Sequence, residues 1–411
     1  MARGPRALVR VVAPRLIPAL FALCAPLADA GKPELELTGV FEAIGENRLH
    51  VALTRVDDLL RENPNFRLAH LVRGDLLLAR TRPIANLGNT GHARSERLDE
   101  LRAEALARLR AYRERPDPKL VPRYLLQFEA EQRYAIVVDS KRSRMYLYEN
   151  AGEKPRFVAD YYTTLGKGGI DKWREGDQKT PIGVYYVTSS IPGSKLPDLY
   201  GAGAFPINYP NEWDRMLGRN GYGIWLHGVP KDTYSRAPWA SDGCIALANP
   251  DLVEIGKTVQ VGRTPVIIAD EVQWVTGDAL AADSAELRRR FETWRSDWES
   301  RDTGKYLKNY AANFRSDSMN LAAWSAHKRR VNALKQWIKV SLSSVSMFRD
   351  PGKDELVVVT FYQDYRSNNL AQTSRKRQLW VRESGTWKIV YEAVTRESRV
   401  SLPESYPGRR S

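Results

Sequence analysis

Cys244 stands in the run Ser241-Asp242-Gly243-Cys244, with the pair His227-Gly228 beginning seventeen positions before it. A thiol attacks a carbonyl carbon only if one group removes its proton and another holds the oxyanion that forms. His227 is the best candidate base, because it alone among the five histidines falls in the β-rich segment that carries Cys244. Gly243 lets the backbone turn tightly and bring amide N–H groups toward a substrate oxygen. Acyl transfer is the chemistry these residue types describe, and it calls for no cofactor and no metal. The opposing reading is an inert cysteine, since a free thiol also packs well as a small hydrophobe. Sequence alone does not show that the two side chains meet.

The amino terminus bears on which compartment the thiol occupies. Arg3, Arg6, Arg10 and Arg15 precede a mostly apolar run from Leu16 to Leu27, and Ala28-Asp29-Ala30 offers small residues for cleavage. Residues 1–30 are therefore expected to be a cleaved signal peptide that directs the chain to the periplasm. An uncleaved anchor fits less well: the apolar run is shorter than the ~20 residues that span a bilayer, and Pro18 and Pro26 interrupt it. A lipoprotein site at Cys24 is disfavoured by the bulky Leu23 before it. Removing the leader leaves Cys244 as the one cysteine of the mature chain, with no disulfide partner in an oxidising compartment.

Roughly 380 mature residues imply two or three domains. The formal charge is +14, and the leader accounts for only part of it, so the mature chain stays strongly basic. Such a protein is drawn to anionic surfaces such as wall polymer or lipid head groups. Nucleic acid is the weaker reading of that charge and is not an expected partner, because the Lys and Arg residues are scattered and no recognition motif accompanies them.

Three segments carry the candidate site. Over residues 31–130 the pattern is helical: Ala43, Leu49, Leu53, Val56 and Leu60 recur at three- and four-residue steps, and Asn63-Pro64-Asn65 breaks the helix before a second apolar stripe. The pair resembles one tetratricopeptide-type hairpin, although an array needs three or more units, and an ordinary packing or dimerisation element explains it equally well. A further helix runs through "LDELRAEALARLRAYRER" to Pro116. Over 131–272 the period changes, with "YAIVVDSKRSRMYLYEN" reading as a hairpin and "TPIGVYYVTSSI", "GIWLHG" and "TPVIIAD" as further strands of a mainly antiparallel β domain. Over 280–400 a helix with Phe291, Trp294 and Trp298 on one face is followed by more helical residues to about Leu334 and then by long strands. That order, closing on "WKIVYE", resembles the nuclear transport factor 2-like fold, an α+β cone with a pocket, used in many relatives for dimerisation or recognition. The whole is an α+β multidomain chain.

The stretches "GDQKTPIGVYYV", "FPINYPNEWDRMLGRNGYGIWLHG" and "HGVP…ASDGCIAL" resemble the catalytic domain of the YkuD-type L,D-transpeptidases. That family carries a histidine, a spacer and Ser/Thr-x-Gly-Cys, and its cysteine forms a thioester with a peptidoglycan stem peptide. The resemblance implies Cys244 as nucleophile, His227 as general base, the Gly228 carbonyl as the group orienting the imidazole, and the N–H groups of Gly243 and Cys244 as oxyanion hole. Thr180, Pro181 and Gly183 match a second signature, read as structural support. Substrate-binding candidates are Arg236, Ser241 and Tyr209. Many members have His before Gly-Cys and Arg or Asn two residues after the cysteine, where this chain has Asp242 and Ala246. The missing cation at 246 makes Arg236 the candidate for a diaminopimelate or D-alanine carboxylate. The expected activity is release of D-alanine from a tetrapeptide stem and transfer of the acyl group to an amine. An L,D-carboxypeptidase using the same acyl-enzyme is the first alternative, to which the three-part layout points, since it is similar to that of wall-trimming carboxypeptidases of curved and helical cells. A non-catalytic wall-binding scaffold is the second. Stem peptides, a second copy or a wall protein are the expected partners.

Overall fold

The computed structural model describes residues 31–84, 86–88, 95–152, 154–352 and 355–395. The expected signal peptide, Cys24 and His92 lie outside them. Four helices open the described chain: α1 (Lys32–Gly45), α2 (Leu49–Glu62), α3 (Arg67–Leu78) and α4 (Ser95–Arg113). The long helix expected before Asn63 is two helices, because the chain turns at Glu46–Arg48 with Asn47 in the left-handed region (φ 58°), a conformation asparagine tolerates. Leu37, Val40, Val56, Phe66, Leu68 and Val72 fill the core between these helices.

Beyond α4, β1 (Leu120–Pro122) pairs with β13 (Trp274–Thr276), and Gln127 bridges to Met347. Residues 120–128 thus leave the helical layer and thread between the two following domains. The middle domain contains β2 (Tyr134–Asp139), β3 (Arg144–Asn150), β4 (Pro155–Tyr162), β5 (Leu165–Gly166), β6 (Gly183–Tyr186), β7 (Ile191–Pro192), β8 (Gly203–Pro206), α5 (Glu212–Met216), β9 (Trp225–His227), β10 (Trp239–Ser241), β11 (Ile245–Ala246), α6 (Asn249–Gly256) and β12 (Pro265–Ala269). One sheet has the order β4-β3-β2-β12-β6, a second the order β11-β9-β8-β7, and β10 pairs with β5. The domain is mainly antiparallel as expected, with parallel exceptions: β11–β9 and β10–β5 beside the candidate site, and β12–β2 in the central sheet.

The third domain contains α7 (Gly277–Glu299), α8 (Thr303–Leu307), β14 (Tyr310–Arg315), α9 (Leu321–Ala333), β15 (Ile338–Arg349), β16 (Leu356–Ser367), β17 (Leu370–Glu383) and β18 (Thr386–Val394). Its sheet runs β14-β18-β17-β16-β15. β14 interrupts the expected helical run to Leu334, because "YAANF" pairs in parallel with β18 and buries Tyr310 and Phe314 under the helices. Phe291, Trp294 and Trp298 enter that same core.

The apolar runs of the central strands have a simple cause. In β2, Ile136 and Val138 face the layer carrying His227 and Cys244, whereas Ala135 and Val137 face the third domain's sheet at Phe348, Leu356, Val358, Leu379 and Val390. The alternation of β12 is the same: Val266 and Ile268 point one way, Ile267 and Ala269 the other. A strand covered on both faces reads as a continuous hydrophobic run rather than an alternating one. At the rim of this inter-domain core Arg377 Nη1 lies 3.0 and 3.1 Å from the two Glu212 carboxylate oxygens and packs over the Tyr186 ring. The pair is largely screened from solvent. Leaving Glu212 without its cation by Arg377→Met is expected to cost about 3 kcal/mol, and adding Glu212→Gln to recover most of it. Urea unfolding of the two variants checks this.

Candidate active site

His227 ends β9, and Cys244 directly precedes β11. The parallel register pairs Ile245 with Leu226 and Ala246 with His227, so Cys244 stands level with Trp225, two residues from the histidine. Side chains alternate across a strand. Leu226 and Ile245 point into the core, which leaves His227 and Cys244 together on the opposite face of neighbouring strands.

The imidazole is fixed from several sides. His227 Nδ1 is 2.6 Å from Gly228 O; a carbonyl only accepts, so Nδ1 carries the proton and Nε2 is the basic nitrogen. Tyr200 stands edge-on to the ring at 5.2 Å, and its carbonyl accepts Gly228 N–H at 3.2 Å. His227 is only 4% exposed. Burial, opposed by the Gly228 contact and reinforced by the Arg236 charge, pulls its pKa down to about 4. The ring is neutral at pH 7.

Cys244, the free cysteine of the described chain, donates its thiol proton to Gly223 O at 3.2 Å. Burial pushes the thiol pKa up, against Trp225 N–H, which favours the thiolate. The resting pair is thus a neutral thiol turned to the Gly223 carbonyl and a neutral imidazole. An ion pair is not preformed.

Gly243 holds φ 119° and a Cβ there would lie 2.7 Å from Lys179 O, so both backbone conformation and space demand glycine. Its carbonyl accepts from Thr180 Oγ1 at 3.0 Å, and the same hydroxyl accepts Gly166 N–H at 2.9 Å. Thr180 is wholly buried. Asp177 orders the turn before it: burial works against the charge, yet Lys172 at 2.6 Å and the N–H groups of Trp173, Arg174 and Lys179 hold its carboxyl down to about 2.

Three expectations change in this setting. Gly243 N–H donates to Ser241 Oγ at 3.2 Å, which leaves Cys244 N–H as the less committed oxyanion donor. Ser241 is 4% exposed and gives its own proton to Cys244 O at 2.6 Å, so it braces the loop instead of meeting substrate. Tyr209 is also buried, its hydroxyl directed to the carbonyls of Asn220 at 3.1 Å and Lys172 at 3.4 Å. Its phenol ties two loops together. Arg236 is half-buried beside the histidine and donates to Ala240 O.

Asn249 escaped sequence reasoning. Before Pro250-Asp251 it looks like a helix-start residue, but its Oδ1 accepts Ala202 N–H at 2.8 Å and Val229 N–H at 3.2 Å while Nδ2 donates to Val229 O at 2.8 Å. A Cβ on Gly228 would come within 2.1 Å of that Oδ1. The His227-Gly228 pair is therefore as much a packing requirement around Asn249 as a chemical one.

A domain with this sheet arrangement and a His-Gly strand paired to Ser-x-Gly-Cys is that of the L,D-transpeptidases. The family model of the L,D-transpeptidase catalytic domain (YkuD) matches residues 133–268, and that of the Cds6 C-terminal NTF2-like domain matches 286–393. Among solved structures, Bd1075 of Bdellovibrio bacteriovorus is 30% identical with a TM-score of 0.61, covering 68% of this chain and 99% of that one. The helical cell shape determining protein Pgp2 of Campylobacter jejuni is 27% identical with a TM-score of 0.56, over 66% and 95% of the two chains. "Putative L,D-transpeptidase YafK" of Escherichia coli K12 is 28% identical over 160 residues, 38% of this chain; the match spans 59% of that curated relative's length. The chain belongs to the YkuD L,D-transpeptidase family and carries a C-terminal NTF2-like domain.

Thr180→Val removes one donor and one acceptor from buried backbone groups and is expected to cost ~1–3 kcal/mol, with Thr180→Ser restoring most of it. Gly243→Ala should exceed that loss. Denaturant midpoints, together with hydrogen exchange at the Cys244 amide, read both effects.

Proposed function

We propose that this chain is a periplasmic thiol acyltransferase of the cell wall, in which Cys244 attacks the L,D amide of a peptidoglycan tetrapeptide stem and expels D-alanine. The observation that carries the reading is the shared face of His227 and Cys244 across β9 and β11, with Nδ1 bound to Gly228 O and Nε2 left basic. Both groups are neutral at rest, so the proton moves from Sγ to Nε2 as the sulfur–carbon bond forms. The low basicity of the ring then helps the next step: its imidazolium is a strong acid and protonates the departing amine. Cys244 N–H holds the oxyanion. Release of the thioester by an amine gives a transferase, and release by water gives an L,D-carboxypeptidase. We place the amine first. The alternative, water, draws its support from the three-part likeness to Pgp2, a protein named for determining helical cell shape.

Intact-protein mass spectrometry after carbapenem treatment is expected to show one adduct on the wild type and none on Cys244→Ala; no wild-type adduct would sink the enzyme reading. His227→Ala should lower acylation ~10²- to 10⁴-fold, whereas His50→Ala, His70→Ala and His327→Ala leave it within a small factor. Disaccharide-tetrapeptide with a labelled D-amino acid sorts the two fates: labelled tetrapeptide marks transfer, and unlabelled tripeptide alone marks hydrolysis.

The pH dependence follows from His227. A base held neutral down to about pH 4 puts the acid limb of acylation near there, below the ordinary histidine range. Arg236→Ala removes a positive charge that depresses this pKa, so its acid limb should move upward. An unshifted limb would disconnect Arg236 from the base.

A further inference from the structure

The helical region is built against the loop that joins base to nucleophile. Asn65 Nδ2 donates to Lys231 O at 3.0 Å, Tyr234 N–H donates to Asn65 O at 3.2 Å, and the Phe66 and Tyr234 rings stack at 4.2 Å. Glu104 of α4 accepts from Ser235 Oγ at 2.6 Å and pairs with Arg108 at 2.9 Å.

Beside these contacts lies a cleft of about 430 Å³. One wall is α3 and α4, contributing Arg67, Arg97, Glu100 and Glu104; the other is the loop, contributing Arg236 and Ala240. The loop wall belongs to the segment between His227 and Cys244, and the Arg236 charge is felt by the His227 ring. The charge of the lining is uneven. The Glu104 carboxylate is already committed to Arg108 and Ser235, and Arg67 shares an exposed pair with Asp232. Arg97 is exposed and makes no ion pair among the described residues. Arg236 gives one nitrogen to Ala240 O, which leaves the rest of its five-donor fork for other acceptors. Against Arg97 and Arg236 stands Glu100. Two guanidinium groups lining one concave site from different elements suit carboxylates, which they bind through paired N–H donors.

We propose that this cleft between the helical region and the catalytic loop is a binding subsite for a carboxylate-bearing peptide, with Arg97 and Arg236 on opposite walls as its anion-holding groups. On the reading of the protein as a stem-peptide enzyme, which this inference rests on, the occupant is the acidic part of the wall peptide. The helical region then supplies half of a substrate site rather than a remote module. It would select stems whose carboxyl groups are free over stems in which they are amidated.

The test uses the full mature chain carrying Cys244→Ala, so that ligand is bound and not turned over, and titrates it calorimetrically with disaccharide-tetrapeptide and with its carboxyl-amidated form. The free-acid form is expected to bind about tenfold or more tightly than the amidated one. Arg97→Glu should weaken the free-acid form by at least that factor and abolish the difference between the two ligands, and Glu100→Gln should tighten it. Equal affinity for both ligands, no binding of either, or an Arg97→Glu variant that binds like its parent would each overturn the subsite. Failure of the wild type to acylate would count against the enzyme reading alone, because the titration reads the cleft without turnover.

Discussion

The central sheet of the catalytic domain is buried on both faces, and the rest of the molecule is arranged around that constraint. Val137, Ile267 and Ala269 have no place to go except against the C-terminal sheet, at Phe348, Val358 and Val390. Exposing such a face removes ~1.5–3 kcal/mol of burial for each large side chain. The NTF2-like domain is consequently part of the folded body that holds the catalytic layer, and not a tail hung on a linker. A chain ended near Asp270 would bare this face.

Electrostatics tie the other flank. Arg108 is almost fully buried and is held by Glu34 of α1, by Glu104 one turn away and by the Tyr162 ring at 3.9 Å. Burial lowers its pKa to about 10, which still leaves it charged at neutral pH. Glu34 also meets Arg144 of β3 at 2.9 Å. Breaking such a buried pair strands a charge in a low-dielectric interior. Helices α1 and α4, strand β3 and the loop at Ser235 are for that reason one unit, so the loop between His227 and Cys244 is held from outside the catalytic domain as well as within it.

Inside the site, support outnumbers chemistry. His227 and Cys244 are surrounded by residues that fix both: Thr180 on the Gly243 carbonyl, Ser241 on the Cys244 carbonyl, Asn249 on the segment after the histidine, and Tyr200 on its ring. Groups that must hold a reacting geometry need locked rotamers and satisfied neighbours. The thiol is held on Gly223 O.

Local signals in the chain determined a good deal. Periodicity marked the helices, the β hairpin at 134–150 and the long C-terminal strands, and the residue types around Cys244 marked acyl chemistry, because these depend on neighbours three or four positions apart or on the two-residue repeat of a strand. Asn47 and β14 were missed for the complementary reason: a left-handed turn inside a helical pattern, and a short strand whose partner lies some eighty residues away, leave no periodic trace. Only the tertiary structure decided that β9 and β11 pair in parallel and so bring the histidine and the cysteine to one face. It also turned Tyr209 and Ser241 inward and spent their hydroxyls on backbone carbonyls. A buried polar group must find a partner wherever the fold supplies one, and that partner is a property of three-dimensional neighbours which the order of residues does not display.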